Sequence, residues 1–179
     1  MDPIEEFITG EITSKSAPSD RILTTILFTD IVESTRRARE LGDAHWRTLL
    51  DAHDAAAAEE VARFRGRLVE HTGDGILASF DGPARAIQCS RRLAARARAL
   101  GLAIRAGVHT GECELRGERL AGITLHLAAR IMALAGPGEI LTTRTVRDLV
   151  DGSGLSFRDH GAHSLKGFDG QIQVLAVEP

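Results

Sequence analysis

Arg67-Leu68-Val69-Glu70-His71-Thr72-Gly73-Asp74-Gly75-Ile76-Leu77-Ala78-Ser79-Phe80 reads as two short apolar strands folded back on each other. The turn lies at Thr72-Gly73-Asp74-Gly75, where Asp and Gly favour a tight reversal. Upstream, residues 21–29 (RILTTILFT) are β-branched and apolar, the composition of a buried strand. Asp30 ends that strand, and Glu33, Ser34 and Thr35 open a long helix. Its apolar residues Trp46, Leu49, Leu50, Ala57, Val61 and Phe64 recur at helical spacing up to a stop at Gly66. Beyond the hairpin, Pro83 starts a second helix that runs to about Leu100 and ends at Gly101. Residues 102–109 form a fourth strand.

The order β-α-β-β-α-β is that of an α+β, ferredoxin-like core, with helices on one face of an antiparallel sheet. Additional strands and helices follow toward the C-terminus: a strand at 111–116, a helix at 121–135, a strand at 139–142, a short helix at 143–150, and strands near 155–157 and 172–177. Residues 1–20 have no sustained period and read as an extension or linker. The folded domain is expected to span 21–179.

Composition narrows the function. The 179 residues are 43% hydrophobic and 26% charged, with a net charge of −3, an ordinary globular balance without a basic block for nucleic acid. No run approaches the length of a membrane span, and the N-terminus lacks the order of a signal peptide. Two cysteines, Cys89 and Cys113, make no disulfide framework. A cytoplasmic location is expected.

Two carboxylates stand out. Asp30 lies where a buried strand gives way to a helix, whose first turn offers unpaired N–H groups and a positive dipole end to a phosphate. Alone, it reads first as a helix cap, and Asp74 alone reads as a turn residue. In a ferredoxin-like sheet the first strand neighbours the hairpin, so the two meet. Oxygen ligands of this kind suit Mg²⁺ or Mn²⁺ holding phosphates.

Several segments resemble the class III nucleotidyl cyclases, the adenylyl and guanylyl cyclase family, in its bacterial, mycobacterial-like branch. Phe28-Thr29-Asp30-Ile31-Val32-Glu33-Ser34-Thr35 and His71-Thr72-Gly73-Asp74-Gly75 are similar to the two metal motifs. Gly107-Val108-His109-Thr110-Gly111 resembles the central strand, residues 122–130 (GITLHLAAR) the catalytic helix, and Leu165-Lys166-Gly167 a phosphate-contacting segment. The matches occur in family order. The resemblance implies a homodimer with shared active sites and two metal ions per site, held by Asp30, Asp74 and the Ile31 carbonyl. It implies that the partner chain gives Arg130 to the α-phosphate and Lys166 to the terminal phosphates, and that His126 stands where the family usually has a ribose-orienting Asn. His126 also reads as a packed core histidine.

The base-reading positions depart from the family. Adenylyl cyclases usually carry Lys and Asp there, guanylyl cyclases Glu and Cys; counting from the motifs gives Glu70 and Arg119. The pair is compatible with either purine, and the phrasing of the motifs puts ATP first and GTP second. A catalytically inactive module that binds nucleotide or a partner is the further alternative. A cyclic-dinucleotide synthase lacks its signature in this chain.

Overall fold

The computed structural model describes residues 20–179. The expected extension therefore lies outside the described residues, except Asp20, which opens the first strand. The elements are β1 (Asp20–Ile31), α1 (Ser34–Leu41), α2 (Asp43–Arg63), β2 (Arg67–His71), β3 (Gly75–Phe80), α3 (Pro83–Ala99), β4 (Ile104–Arg116), β5 (Arg119–Ala121), α4 (Ile123–Ala133), β6 (Ile140–Thr143), α5 (Arg144–Leu149), β7 (Phe157–Ser164) and β8 (Gln171–Val177). The sheet runs β2-β3-β1-β4-β6-β8-β7, with β5 paired to the outer part of β4. The α+β fold is thus as expected from the sequence, with four corrections.

The long first helix is two helices. Gly42 adopts φ 81, which ends α1, and its carbonyl accepts from Trp46 at the start of α2. The fourth and fifth strands are one, because β1 is long enough to pair with β4 from Asp20↔Leu115 to Ile31↔Ile104 without a break. The sheet is also not wholly antiparallel, since β4 and β6 run parallel.

Helices occupy both faces. Alternation along β1 sends Leu27 and Ile31 to one side, where they pack with Ala56, Ala57 and Val61 of α2 and Ile87, Leu93 and Ala97 of α3. Ile26 and Phe28 point to the other side and meet Ala128 and Leu125 of α4. The expectation of helices on one face therefore holds only for the ferredoxin-like core, and α4 covers the opposite face. Cys89 and Cys113 are free thiols buried on these two sides.

Gly107 makes the approach of α4 possible. A Cβ at that position would lie 2.5 Å from the Met132 nitrogen and 2.6 Å from the Ala128 carbonyl oxygen. Both are helix backbone and cannot swing away, so α4 would have to move. Beside it, His109 hydrogen-bonds through Nδ1 to Thr143 Oγ1 at 2.8 Å, and burial pushes its pKa down to about 4. It is a neutral structural imidazole.

Gly107→Ala is expected to cost about 2–4 kcal/mol of unfolding free energy in urea, through overpacking. Gly82→Ala, at a position with extended φ −152 and no atom within 4 Å of the added Cβ, should stay within about 0.5 kcal/mol of the parent. Equal losses would contradict the close helix–sheet contact.

Candidate active site

Strand register brings the two aspartates together. β1 pairs with β3 so that Asp30 lies opposite Gly75, and the Ile31 N–H donates to the Asp74 carbonyl at 3.2 Å. Gly75 is needed at this point, because a Cβ there would sit 1.8 Å from the Thr29 carbonyl oxygen. The Asp30 and Asp74 carboxyls lie close enough for each to shift the other's titration, and Ser34 at the start of α1 lies beside Asp74.

The two carboxyls titrate apart. Burial pushes Asp30 up, and its hydrogen bond to Asp74 pushes it further, against the opposing pull of Arg105. Burial also pushes Asp74 up, but the hydrogen bonds it accepts from Asp30, Ser34 and its own backbone outweigh this and hold it below the usual carboxylate value. Two half-buried carboxylates in contact need a proton or a cation between them. Their hard oxygen donors fit a divalent cation such as Mg²⁺ or Mn²⁺. Among the described residues no group of three or more His, Cys, Asp and Glu converges on a metal position. A cation on the aspartate pair would thus take its other ligands from backbone carbonyls, water or phosphate.

Arg105 was not singled out in the sequence. It is the register partner of Asp30 on β4, and its Nη2 donates to Asp30 Oδ2 at 3.0 Å while its Nη1 donates to the Ala133 carbonyl at 3.2 Å. One guanidinium thus joins Asp30 to the end of α4. Only the β1–β4 register exposes this link, because 75 residues separate the two side chains. Asp30, Ile31, Ser34, Thr35 and Arg105 line a cavity of about 370 Å³ at the head of α1.

A second cavity, of about 640 Å³, lies on the same face of the sheet and is lined by Glu70, Arg119 and His126 together with Phe28, Leu77 and Leu125. Glu70 thus meets Arg119 and His126, from a distant part of the chain, at one cavity. A β-bulge aims Glu70. The pairing steps from Leu68↔Ala78 to Glu70↔Leu77, so Val69 is an extra residue. Strict alternation would put Glu70 on the side of Leu68, which packs toward α2 and α3; the bulge turns it toward Leu77 and the cavity. Among the described residues, neither Glu70 nor Arg119 takes part in an ion pair. His126 is exposed on α4, not packed in the core, and Arg130 lies one turn further along, also exposed. Lys166 is exposed in the β7–β8 turn, next to buried Leu165. Arg130 and Lys166 line neither cavity.

Comparison with known proteins bears on the fold. No family model matches the chain. An uncharacterised protein of Mycobacterium tuberculosis is 34% identical over 153 residues, covering 84% of this chain and 40% of that protein. A Rhizobium meliloti protein named "Putative adenylate cyclase 3" is 31% identical over 169 residues, 89% of this chain and 29% of the relative. The chain therefore spans well under half the length of these relatives. Among solved structures, the adenylyl cyclase CyaB from P. aeruginosa superposes with TM-score 0.83 at 22% identity, over 90% of this chain and 96% of that one. The guanylate cyclase domain of RhGC from Catenaria anguillulae, solved in complex with GTP, gives TM-score 0.77 at 19% identity, over 87% and 96%. The chain thus has the fold of the class III nucleotidyl cyclase catalytic domains. Its neighbours within that class include both adenylyl and guanylyl cyclases.

Arg105→Leu should raise the Asp30 pKa further, since it removes a cation that favours the ionised form. A ¹³C NMR titration of the Asp30 carboxyl would read this directly. An unchanged midpoint would contradict the ion pair.

Proposed function

We propose that this chain is the catalytic domain of a nucleotidyl cyclase that converts a purine nucleoside triphosphate, ATP ahead of GTP, into its 3′,5′-cyclic monophosphate and pyrophosphate. The observation that carries the reading is the strand register that sets Asp30 beside the Asp74 turn, with Asp30 lining a cavity edged by the first turn of a helix.

Asp30, Asp74 and the Ile31 carbonyl would hold two Mg²⁺ or Mn²⁺ ions, which supply acidification of the ribose 3′-hydroxyl and charge neutralisation on the phosphates. Residues 31–35 and Arg105 would seat the triphosphate, with backbone N–H groups and a guanidinium suited to anionic oxygens. Arg130 would stabilise charge on the α-phosphate as the 3′-oxygen attacks in line, and Lys166 would hold the terminal phosphates as a point charge. His126 would hydrogen-bond the ribose.

The larger cavity would take the base. Glu70 accepts from the N6 amino group of adenine while Arg119 donates to N1. For guanine, Glu70 accepts from N1–H and the N2 amino group while Arg119 donates to O6. The motif phrasing and the Rhizobium meliloti relative support ATP; the guanylate cyclase neighbours support GTP as the second reading.

A homodimer is part of the proposal. Within one chain the base cavity and the aspartate cavity share no lining residue, and Arg130 and Lys166 reach neither. A head-to-tail pair would set the base half of one chain against the aspartate half of the other, giving two complete sites. Its working compartment would be the cytoplasm. Among the described residues no helix is long and apolar enough to cross a membrane.

Incubation with Mn²⁺ and each of the four triphosphates in turn should yield cyclic product from purines, with more from ATP than from GTP. Asp30→Ala and Arg130→Ala should each be inactive, and mixing them should restore activity at one site per heterodimer. Cyclic product from no triphosphate would overturn the enzyme reading. No recovery despite demonstrated subunit exchange would overturn the shared site.

A further inference from the structure

The base cavity has two walls that come from distant parts of the chain. One is the edge strand β2, through Arg67, Leu68, Val69 and Glu70; the other is the β4–β5 turn with β5, through Glu118, Arg119, Leu120 and Ala121. β5 has three residues and pairs only with β4, Arg116↔Arg119 through Glu114↔Ala121. Gly117, with φ 64, reverses the chain at its tip. So short an element at the end of a long strand needs a tether to the body of the sheet.

Two contacts supply it. Leu120 packs into the cluster formed by Ile26, Leu77, Cys113 and Ala128. Arg67 Nη2 donates to the Glu118 carbonyl at 3.0 Å, across 51 residues of sequence. Arg67 and Leu120 also line a second, smaller cavity of about 290 Å³ behind the base cavity. Together they form the partition between the two spaces.

The position of the strap has a chemical consequence. Arg67 lies three residues before Glu70 on β2, and the carbonyl it holds belongs to the residue immediately before Arg119. The strap therefore spans the two strands that carry the opposed charges of the base cavity. We propose that Arg67 is a positioning residue for nucleobase binding: its hydrogen bond to the Glu118 carbonyl fixes the β4–β5 turn against β2 and so sets the separation of Glu70 from Arg119. Arg67 itself contacts no reacting atom. A guanidinium suits the task because its planar fork keeps direction over a long reach; a lysine can donate to the same carbonyl only from a shorter, freely rotating head.

This assignment rests on the cyclase reading, and the test separates the two. Wild type, Arg67→Ala and Arg67→Lys are compared as the full chain in three measurements: the Kd of α,β-methylene ATP with Mn²⁺, the split of KM and kcat with ATP, and amide hydrogen exchange along residues 114–122. For Arg67→Ala, Kd and KM should rise about tenfold, the effect of losing one charge-assisted hydrogen bond that organises the site. kcat should stay within about twofold, and exchange should quicken at 117–121 but not across the rest of the domain. Arg67→Lys should recover part of the affinity. An unchanged Kd in Arg67→Ala, a loss confined to kcat, or faster exchange throughout the domain would each overturn the proposal. If wild type itself binds no purine triphosphate, the cyclase reading fails and the nucleobase role falls with it. Local exchange then still tells whether Arg67 holds the turn, so the two failures are distinguishable.

Discussion

The backbone contact between β1 and β3 at Asp30 and Gly75 is the constraint on which the rest of the site depends. A side chain at Gly75 would penetrate the Thr29 carbonyl, so only glycine lets the strands keep this register. That register places the Asp74 turn over the end of β1. On the other edge of β1, the separate pairing with β4 sets Asp30 opposite Arg105. Antiparallel pairing has a two-residue side-chain period, so a one-residue slip would turn Asp30 to the opposite face, among the side chains facing α2 and α3. The carboxylate pair follows from the β3 pairing of β1 and the guanidinium beside it from the β4 pairing of the same strand.

The face of the sheet carrying these groups is divided between two kinds of recognition. Near the end of β1, half-buried carboxylates and a cation suit phosphate and metal chemistry. Further along, the same face is apolar at Phe28, Leu77 and Leu125, with opposed charges on its rim at Glu70 and Arg119. Flat apolar surface with a few polar groups is what a purine requires. Helix α4 connects the two regions. It carries His126 and Arg130, and Arg105 ties its last turn to Asp30. Motion of α4 would therefore be felt at both cavities, which is why the missing side chain at Gly107 matters to function as well as packing.

Much of this was legible in the sequence. Asp-Gly between two apolar runs identified the hairpin, and β-branched runs identified β1 and β3, because those signals are local. Glu70, Arg119 and His126 were placed in one site by motif spacing, and they line one cavity. The misses share a cause: each depends on contacts between distant segments. Gly42 inside a helical pattern reads as tolerable, yet it splits α1 from α2. The apolar alternation at 102–109 stops before Gly111, whereas β1 supplies a partner for β4 from Ile104 to Leu115. Arg105 looked like one of many arginines until register set it against Asp30. The bulge at Val69 has no local marker, although it decides which way Glu70 points.

Cation binding by the aspartate pair is the step on which the proposed cyclase chemistry depends. A titration with Mn²⁺ followed by electron paramagnetic resonance, with α,β-methylene ATP present, addresses it without relying on turnover. The account predicts two bound ions per active site in the wild type and loss of tight binding in both Asp30→Asn and Asp74→Asn, with the fold retained by circular dichroism. Mn²⁺ affinity and stoichiometry unchanged in both variants would contradict it.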